Sequence, residues 1–160
     1  MKYKGSLVVV EDITRSRLLY ETILKQKVIA DYGEDITFEG GFVLHKKDHY
    51  RKLIDEKAIM AQSNSFELYF EDDDLEIIEK VLIKNKFEFV HELREQPWRQ
   101  KVLRFYDYDK NIVEIGESLE HVAYRLFLEN KSYEEIKKIT YLPIEKIKES
   151  ITRFIEERKS

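Results

Sequence analysis

The stretch VVVEDITRSRLLYETILKQKV, residues 8–28, decides the fold because its periodicity changes part-way along. Its β-branched start belongs to a predicted strand, Ser6 to Val10, which ends at Glu11-Asp12. Apolar residues then recur at helical spacing, as Leu18, Leu19 and Ile23 do. Three short extended segments follow, at 27–30, 36–38 and 41–45. The first repeat therefore has the predicted order strand, helix, strand, strand, strand.

The same order recurs further along the chain. FELYF, residues 66–70, predicts a strand that ends at Glu71-Asp72, and apolar residues follow at helical spacing over 75–85. Extended segments come next, at 87–91, 102–106 and 112–115. Such runs also arise by chance in α+β proteins. Taken as a repeat, they predict an α+β fold of paired βαβββ modules that form a half-open mixed β-sheet cavity, with helices covering the outer faces.

Composition excludes several classes of protein. The 160 residues suit one domain, or one domain with an appendage, and 42% hydrophobic with 38% charged residues indicates a globular chain. The chain has no cysteine, which excludes disulfides, thiolate metal sites and cysteine nucleophiles. No apolar run reaches membrane-spanning length, so we expect no membrane partner and a cytoplasmic location. With a net charge of −4, we do not expect nucleic acid as a partner.

Residues 118–160 predict a tail of three helices. Ser118 is a good N-cap for the first helix, Ser132 with Glu135 forms a capping box for the second, and Pro143 suits the start of a third that reaches Glu157. The tail is similar to a helix-turn-helix segment, but it holds nine Lys or Arg against eight Asp or Glu. We therefore interpret it as an appendage that packs on the core, caps the cavity or joins two subunits.

Two segments resemble the vicinal oxygen chelate superfamily, which includes glyoxalase I, bleomycin-resistance proteins and extradiol dioxygenases. The first is residues 8–28, with Asp12, Arg15-Ser16 and Tyr20 in the family pattern. The second is PWRQKVLRFYDYDKNIVEIGE, residues 97–117, in which Arg99 replaces a family glycine. Lys110 replaces another. The resemblance implies a domain over residues 1–117, with modules at about 5–45 and 65–116 and a connector at 46–64. It also implies a homodimer.

Strand alternation separates two faces of the modules. One face is apolar and should pack under the helices: Val8, Val10, Phe42, Leu44, Phe66, Leu68, Phe70, Leu103, Phe105, Val113 and Ile115. The other face is polar and should line the cavity: His45, Glu67, Tyr69, Arg104, Tyr106 and Glu114. Charge on the inner face of a covered strand requires water, a ligand or a paired ion. His49 and His91 are expected at the surface.

The resemblance implies a metal site with one ligand from each of four strands. Those positions fall on Gly5, His45, Ser65 and Glu114, of which only His45 and Glu114 are competent ligands. Glu67 could replace Ser65, which would give a metal set of His45, Glu67 and Glu114 for zinc, nickel, manganese or iron. In the alternative that we favour, Arg104 neutralises Glu67 or Glu114 and no metal binds.

Three functions remain open at this stage. The first is a divalent-metal-dependent lyase, isomerase or dioxygenase that holds a small molecule in the cavity, with Glu114 or Glu67 moving a proton. The second is a binding protein without catalysis, of the antibiotic-binding type. Its pocket for a planar or anionic molecule would use Trp98, Tyr69, Tyr106 and Arg104, although Trp98 could equally be a packing residue. The third is a regulator that uses the helix-turn-helix-like tail.

Overall fold

The computed structural model describes residues 1–158, and their fold is α+β. The eight strands are β1 Ser6–Val10, β2 Val28–Asp31, β3 Asp35–Phe38, β4 Phe42–Lys46, β5 Glu67–Glu71, β6 Phe89–Glu95, β7 Lys101–Tyr106 and β8 Ile112–Gly116. The six α-helices are α1 Ile13–Arg17, α2 Lys47–Leu53, α3 Leu75–Lys84, α4 Leu119–Leu128, α5 Tyr133–Thr140 and α6 Ile144–Glu157. A π-helical segment, Leu18–Ile23, continues α1.

The strands form two four-stranded sheets with the same internal order. The first sheet runs β1-β4-β3-β2 and the second runs β5-β8-β7-β6. In the first sheet β1 is parallel to β4, with Val9 opposite His45, whereas β3 is antiparallel to both β4 and β2. Each strand of the second sheet takes the place of the strand four earlier in the chain, so the two sheets have the same order. The predicted pair of βαβββ modules and the α+β fold class are therefore confirmed.

By compactness, the chain divides into two units that cut across the modules. The first unit contains residues 1–68, 81–88 and 105–113, and the second contains 69–80, 89–104 and the chain from Glu114 onward. The division at residue 117 into a domain and a tail stays a prediction. Residues 159 and 160 of the predicted tail lie outside the described residues.

Aromatic side chains fill the core of the first unit. Tyr20 is fully buried and packs on Phe38 and Phe42, whose rings stack on each other at 4.5 Å. The Tyr20 hydroxyl donates to Asp107 at 3.0 Å, and the same carboxylate caps the β7–β8 turn by accepting from the backbone of Asn111 at 2.9 Å. A hydrogen bond therefore joins Tyr20 of the first resemblance segment to Asp107 of the second.

The apolar face of the modules is as predicted except at one residue. Ten of the eleven residues expected on the apolar face are buried or half-buried, but Phe66 is 48% exposed. It precedes the first paired residue of β5, so no strand neighbour fixes it under a helix. Within the connector at 46–64, α2 covers Lys47–Leu53.

The last three helices pack around a small apolar core of their own. This core comprises Val122, Ala123, Tyr124, Leu126, Ile136, Ile147 and Ile151. Ser118 caps α4, and Ser132 and Glu135 form the predicted capping box of α5. Tyr141 ends α5 in a left-handed conformation with φ of 58°, and Pro143 precedes α6. Within residues 1–158, no helix combines the length and the apolar character that crossing a bilayer would require.

Candidate functional site

A half-exposed aromatic pair lies in the second unit and is held by one buried amide. Gln100 is 8% exposed; its Oε1 accepts from Trp98 Nε1 at 3.0 Å, and its Nε2 donates to the Tyr69 hydroxyl at 3.0 Å. Nε2 also donates to the carbonyl of Glu117 at 2.7 Å, which anchors the amide. Trp98 and Tyr69 nevertheless remain 49% and 47% exposed. We call Trp98, Gln100 and Tyr69 the aromatic platform.

Gly116 on β8 has no side chain, and the Tyr69 ring occupies the space beside it. A Cβ at Gly116 would lie 2.9 Å from Tyr69 Cε2 and 3.1 Å from Gln100 Nε2, so any larger residue would displace both side chains. The Tyr69 hydroxyl donates to Glu71 at 3.0 Å. Burial, together with this hydrogen bond, raises the pKa of Tyr69 to about 12. The phenol therefore stays neutral at physiological pH and offers a ring face rather than a charge.

A charged group occupies the same face of the second sheet. Arg104 on β7 forms an ion pair with Glu114 on β8, and its Nη1 lies 3.1 Å from His91 Nε2. Glu114 is 6% exposed, so its charge requires this partner. Glu114 is thus a partner of Arg104, one of the two pairings that the sequence left open. His91, expected at the surface, instead lies in β6 and contacts Arg104.

The other predicted site residues belong to the first unit. His45 is 5% exposed, and its Nε2 lies 2.7 Å from Nδ1 of His49, with the two rings stacked at 4.9 Å. Burial lowers the pKa of His45; nearby Asp35 opposes this and neighbouring His49 adds to it. Glu67 is exposed, and Tyr106 is buried with its hydroxyl donating to Asn64 at 2.9 Å. No local sequence signal indicated the histidine pair other than its spacing of four residues.

The four positions implied by the resemblance do not fit a divalent metal. At Gly5, where φ is 150°, a Cβ would lie 2.3 Å from the carbonyl oxygen of Gly41, so no ligand side chain fits there. Ser65 is exposed, and Glu114 is already paired with Arg104. Across residues 1–158, no group of three or more His, Asp or Glu side chains is arranged to hold a metal ion. The metal set His45, Glu67 and Glu114 stays a prediction.

A groove in the first unit is a second place where a molecule could lie. It has a volume of about 410 Å³, and the exposed side chains of Leu7, Met60 and Phe66 make part of its lining apolar. Lys47 on its edge is paired with Glu11 at 2.6 Å. The groove offers apolar contact, but its charged edge is already neutralised.

The tail has the element order of a helix-turn-helix, but its third helix does not present a basic surface. The turn between α5 and α6 is three residues, 141–143. The exposed positions of α6 mix both charges, with Glu145 and Glu149 beside Lys148 and Arg153. Binding to phosphates favours a clearly basic face. The regulator function therefore has no support from charge and stays a prediction.

Comparison with known families identifies the fold. The profile of a family described as a glyoxalase-like domain matches residues 3–120. The chain belongs to the glyoxalase-like family. The predicted resemblance to the vicinal oxygen chelate superfamily is thereby confirmed. The match ends just after α4 begins, so most of the three-helix tail of this glyoxalase-like protein lies beyond it.

Solved structures agree with this assignment. A protein of unknown function from Agrobacterium tumefaciens strain C58 is 32% identical, with a TM-score of 0.65 over 74% of this chain and 94% of that chain. A glyoxalase/bleomycin resistance protein/dioxygenase family enzyme from Burkholderia phytofirmans is 13% identical, with a TM-score of 0.61 over 73% and 98%. The fosfomycin resistance protein FosX from Mesorhizobium loti is 14% identical, with a TM-score of 0.53 over 71% and 89%. No curated protein matches the glyoxalase-like chain.

Proposed function

We propose that this glyoxalase-like protein binds a small planar molecule on the inner face of the second sheet, and does so without a metal ion. The observation that carries the proposal is the aromatic platform. Both side chains are held by Gln100, yet Trp98 and Tyr69 each remain about half exposed. Exposed, immobilised aromatic faces favour stacking because little side-chain entropy remains to be lost on binding.

The polar atoms of the platform narrow the class of ligand. The indole N–H of Trp98 already has an acceptor, and the hydroxyl of Tyr69 both donates and accepts. The polar atoms of both side chains already have hydrogen-bond partners within the protein, so the platform favours a ligand with a flat apolar surface. Arg104 and His91 on the same sheet supply polar contacts for a carboxylate or other hydrogen-bonding group.

The comparisons support binding of a small molecule in a general way. One neighbour with the same fold is named as an enzyme of the glyoxalase/bleomycin resistance protein/dioxygenase family, and another as a fosfomycin resistance protein. A metal-dependent lyase, isomerase or dioxygenase would need ligands that the four family positions do not provide, so binding without a metal is the better-supported function. The assignments of Glu114 and Glu67 as proton carriers, and of Tyr106 as a contact, stay predictions. So do the homodimer and the cytoplasmic location.

Fluorescence of Trp98 tests the proposal directly, because the chain has one tryptophan. The full chain is titrated with 2-naphthoate, bleomycin and fosfomycin, following Trp98 emission and, in parallel, heat by calorimetry. We expect saturable quenching by the planar compounds and none by fosfomycin, which has no aromatic surface. Tyr69→Ala should weaken binding of the planar compounds about tenfold, in line with the contribution of one stacking partner.

A matched control separates stacking from general loss of structure. Tyr32→Ala removes another exposed tyrosine, 74% exposed in the first unit, and should leave the titration unchanged. If all planar compounds fail to bind, or if Tyr32→Ala weakens binding as much as Tyr69→Ala does, the proposal is wrong.

A further inference from the structure

The loop that carries Trp98 is tied to the tail by Arg99. Its guanidinium donates from Nε to Glu95 at 2.7 Å and from Nη2 to both carboxylate oxygens of Glu129 at 2.9 Å. Glu129 is the C-cap of α4 and directly follows its last residue, Leu128. Arg99 stands between Trp98 and Gln100 in sequence, so an ion pair to the tail is anchored between two members of the aromatic platform.

A second arginine holds the backbone of the same loop. Arg125 on α4 donates from Nη2 to the carbonyl of Arg99, and from Nη1 to Glu95 at 2.8 Å. It also donates from Nε to Glu117 at 3.0 Å. Glu117 is 1% exposed and accepts in turn from the backbone N–H of Lys101 at 3.0 Å. Arg125 on α4 and Glu117 just before α4 therefore fix the backbone on the two sides of Gln100.

Arg99 also has a backbone conformation that is uncommon for an arginine. Its φ is 71°, in the left-handed region where glycine is favoured and where a long side chain is uncommon. The family pattern has glycine at this position. An arginine here accepts an unfavourable backbone conformation, and its three hydrogen bonds to Glu95 and Glu129 offset the strain.

We infer that Arg99, Glu129 and Arg125 are positioning residues through which the C-terminal helices hold Trp98 and Gln100 in the geometry that binds the ligand. The inference rests on the proposed function. It assigns the tail a role in the binding site, because Glu129 and most of α4 lie beyond residues 3–120, the part of the chain that matches the family. Arg99 and Arg125 act through Trp98 and Gln100 rather than by touching the ligand.

The test uses Arg99→Gly and Glu129→Gln in the full chain. Glycine suits the observed φ, so Arg99→Gly removes the ion pairs without adding backbone strain. In the absence of any ligand, we expect acrylamide quenching of Trp98 to rise about twofold and its fluorescence anisotropy to fall in both variants. Affinity for 2-naphthoate should fall about fivefold. Arg99→Lys, which keeps one charged contact, should recover part of both effects.

Arg153→Ala is the matched control, because it removes an exposed arginine that pairs with Glu157 at 3.8 Å on α6. It should leave the emission and the affinity unchanged, and circular dichroism should show all variants folded. The inference is overturned if Arg99→Gly and Glu129→Gln leave quenching and anisotropy of Trp98 unchanged. It is also overturned if Trp98 becomes mobile while the affinity for 2-naphthoate stays the same. If no planar compound binds even the unaltered chain, the proposed function fails, and the ligand-free fluorescence alone decides whether the tail positions Trp98.

Discussion

Arg104 and Glu114 form an ion pair across β7 and β8, and the carboxylate of Glu114 is almost completely buried. A buried carboxylate without a partner would be strongly destabilising, whereas an arginine neutralises it without any metal. This relationship decides how the polar inner face of the second sheet can be used. Glu114 is paired with Arg104, and Nη1 of Arg104 lies 3.1 Å from Nε2 of His91.

A double-mutant comparison tests whether Glu114 stabilises the fold through its ion pair with Arg104. Glu114→Leu alone should lower the free energy of unfolding by roughly 2–4 kcal/mol, because Arg104 loses its buried ion pair with Glu114. Arg104→Leu combined with Glu114→Leu should cost clearly less, since neither charge is then unpaired. Urea unfolding of the three proteins measures both values. Strictly additive costs would show that the two residues do not interact.

Metal content gives the second prediction. Protein purified without a histidine tag and incubated with zinc, nickel, manganese or iron should retain no stoichiometric ion after desalting, because Gly5 and Ser65 supply no ligand and Glu114 is paired. Elemental analysis measures the ratio. A stoichiometric ion that disappears in both His45→Ala and Glu114→Ala would instead establish the set His45, Glu67 and Glu114, and the binding proposal would have to include a metal.

Much of the fold could be predicted from the sequence because it depends on alternation. The parity of Val8, Leu44 and Ile115 follows from a period of two residues, and all three are buried as expected. The contact between Arg104 and Glu114 could not be predicted in this way. Glu67 and Glu114 have the same parity, so alternation alone does not place Glu114 beside Arg104.

The aromatic platform was also beyond sequence reasoning in its essential part. Trp98 and Tyr69 were candidates for the site, but Gln100, which joins them, was not. Its hydrogen bonds to Trp98 and Tyr69 reach residues 2 and 31 positions away, and the bond to Tyr69 depends on how β5 lies relative to β7 and β8. The contacts of Arg99 were not predicted for the same reason, and the sequence showed only that Arg99 replaces a family glycine. Its partner, Glu129, is 30 residues further on.

Glu117 should make the protein sensitive to acid. Burial alone would raise the pKa of Glu117, but hydrogen bonds from His121, Arg125 and the backbone of Lys101 outweigh it and lower the pKa from 4.5 to about 2. A carboxyl whose pKa is lower in the folded state stabilises the fold above its unfolded pKa and loses this effect as the pH falls. The contribution, about 3 kcal/mol, should therefore disappear between pH 4.5 and pH 2.

The measurement for Glu117 is urea unfolding at several pH values, compared with Glu117→Gln. Glutamine cannot ionise, so the difference in stability between the two proteins should shrink as the pH falls through this range. Glu145→Gln changes an exposed glutamate in the first turn of α6 and serves as the control. A difference that stays constant from pH 7 to pH 3 would contradict the prediction.

His45 should contribute a separate pH dependence near neutrality. Its pKa is lowered in the folded protein, chiefly by burial, so the unfolded chain binds the proton more readily. Stability should then fall as the pH drops below about 6.5, the ordinary value for histidine. His45→Gln should remove this part of the pH dependence while leaving the acid response of Glu117. Thermal unfolding between pH 8 and pH 5 measures it, and an unchanged slope in the variant would contradict the assignment to His45.

Gly116→Ala should separate binding from folding. The added Cβ would lie 2.9 Å from the far edge of the Tyr69 ring, and Tyr69 is half exposed, so the ring can swing outward at little cost to stability. The displaced phenol would lose its hydrogen bond from Gln100, and the two faces of the aromatic platform would no longer be held together. We expect the thermal midpoint to change by only a few degrees while the affinity for 2-naphthoate falls about tenfold. If the affinity instead remains unchanged, Tyr69 and Trp98 are not joint contacts of the ligand, whatever the stability of the variant.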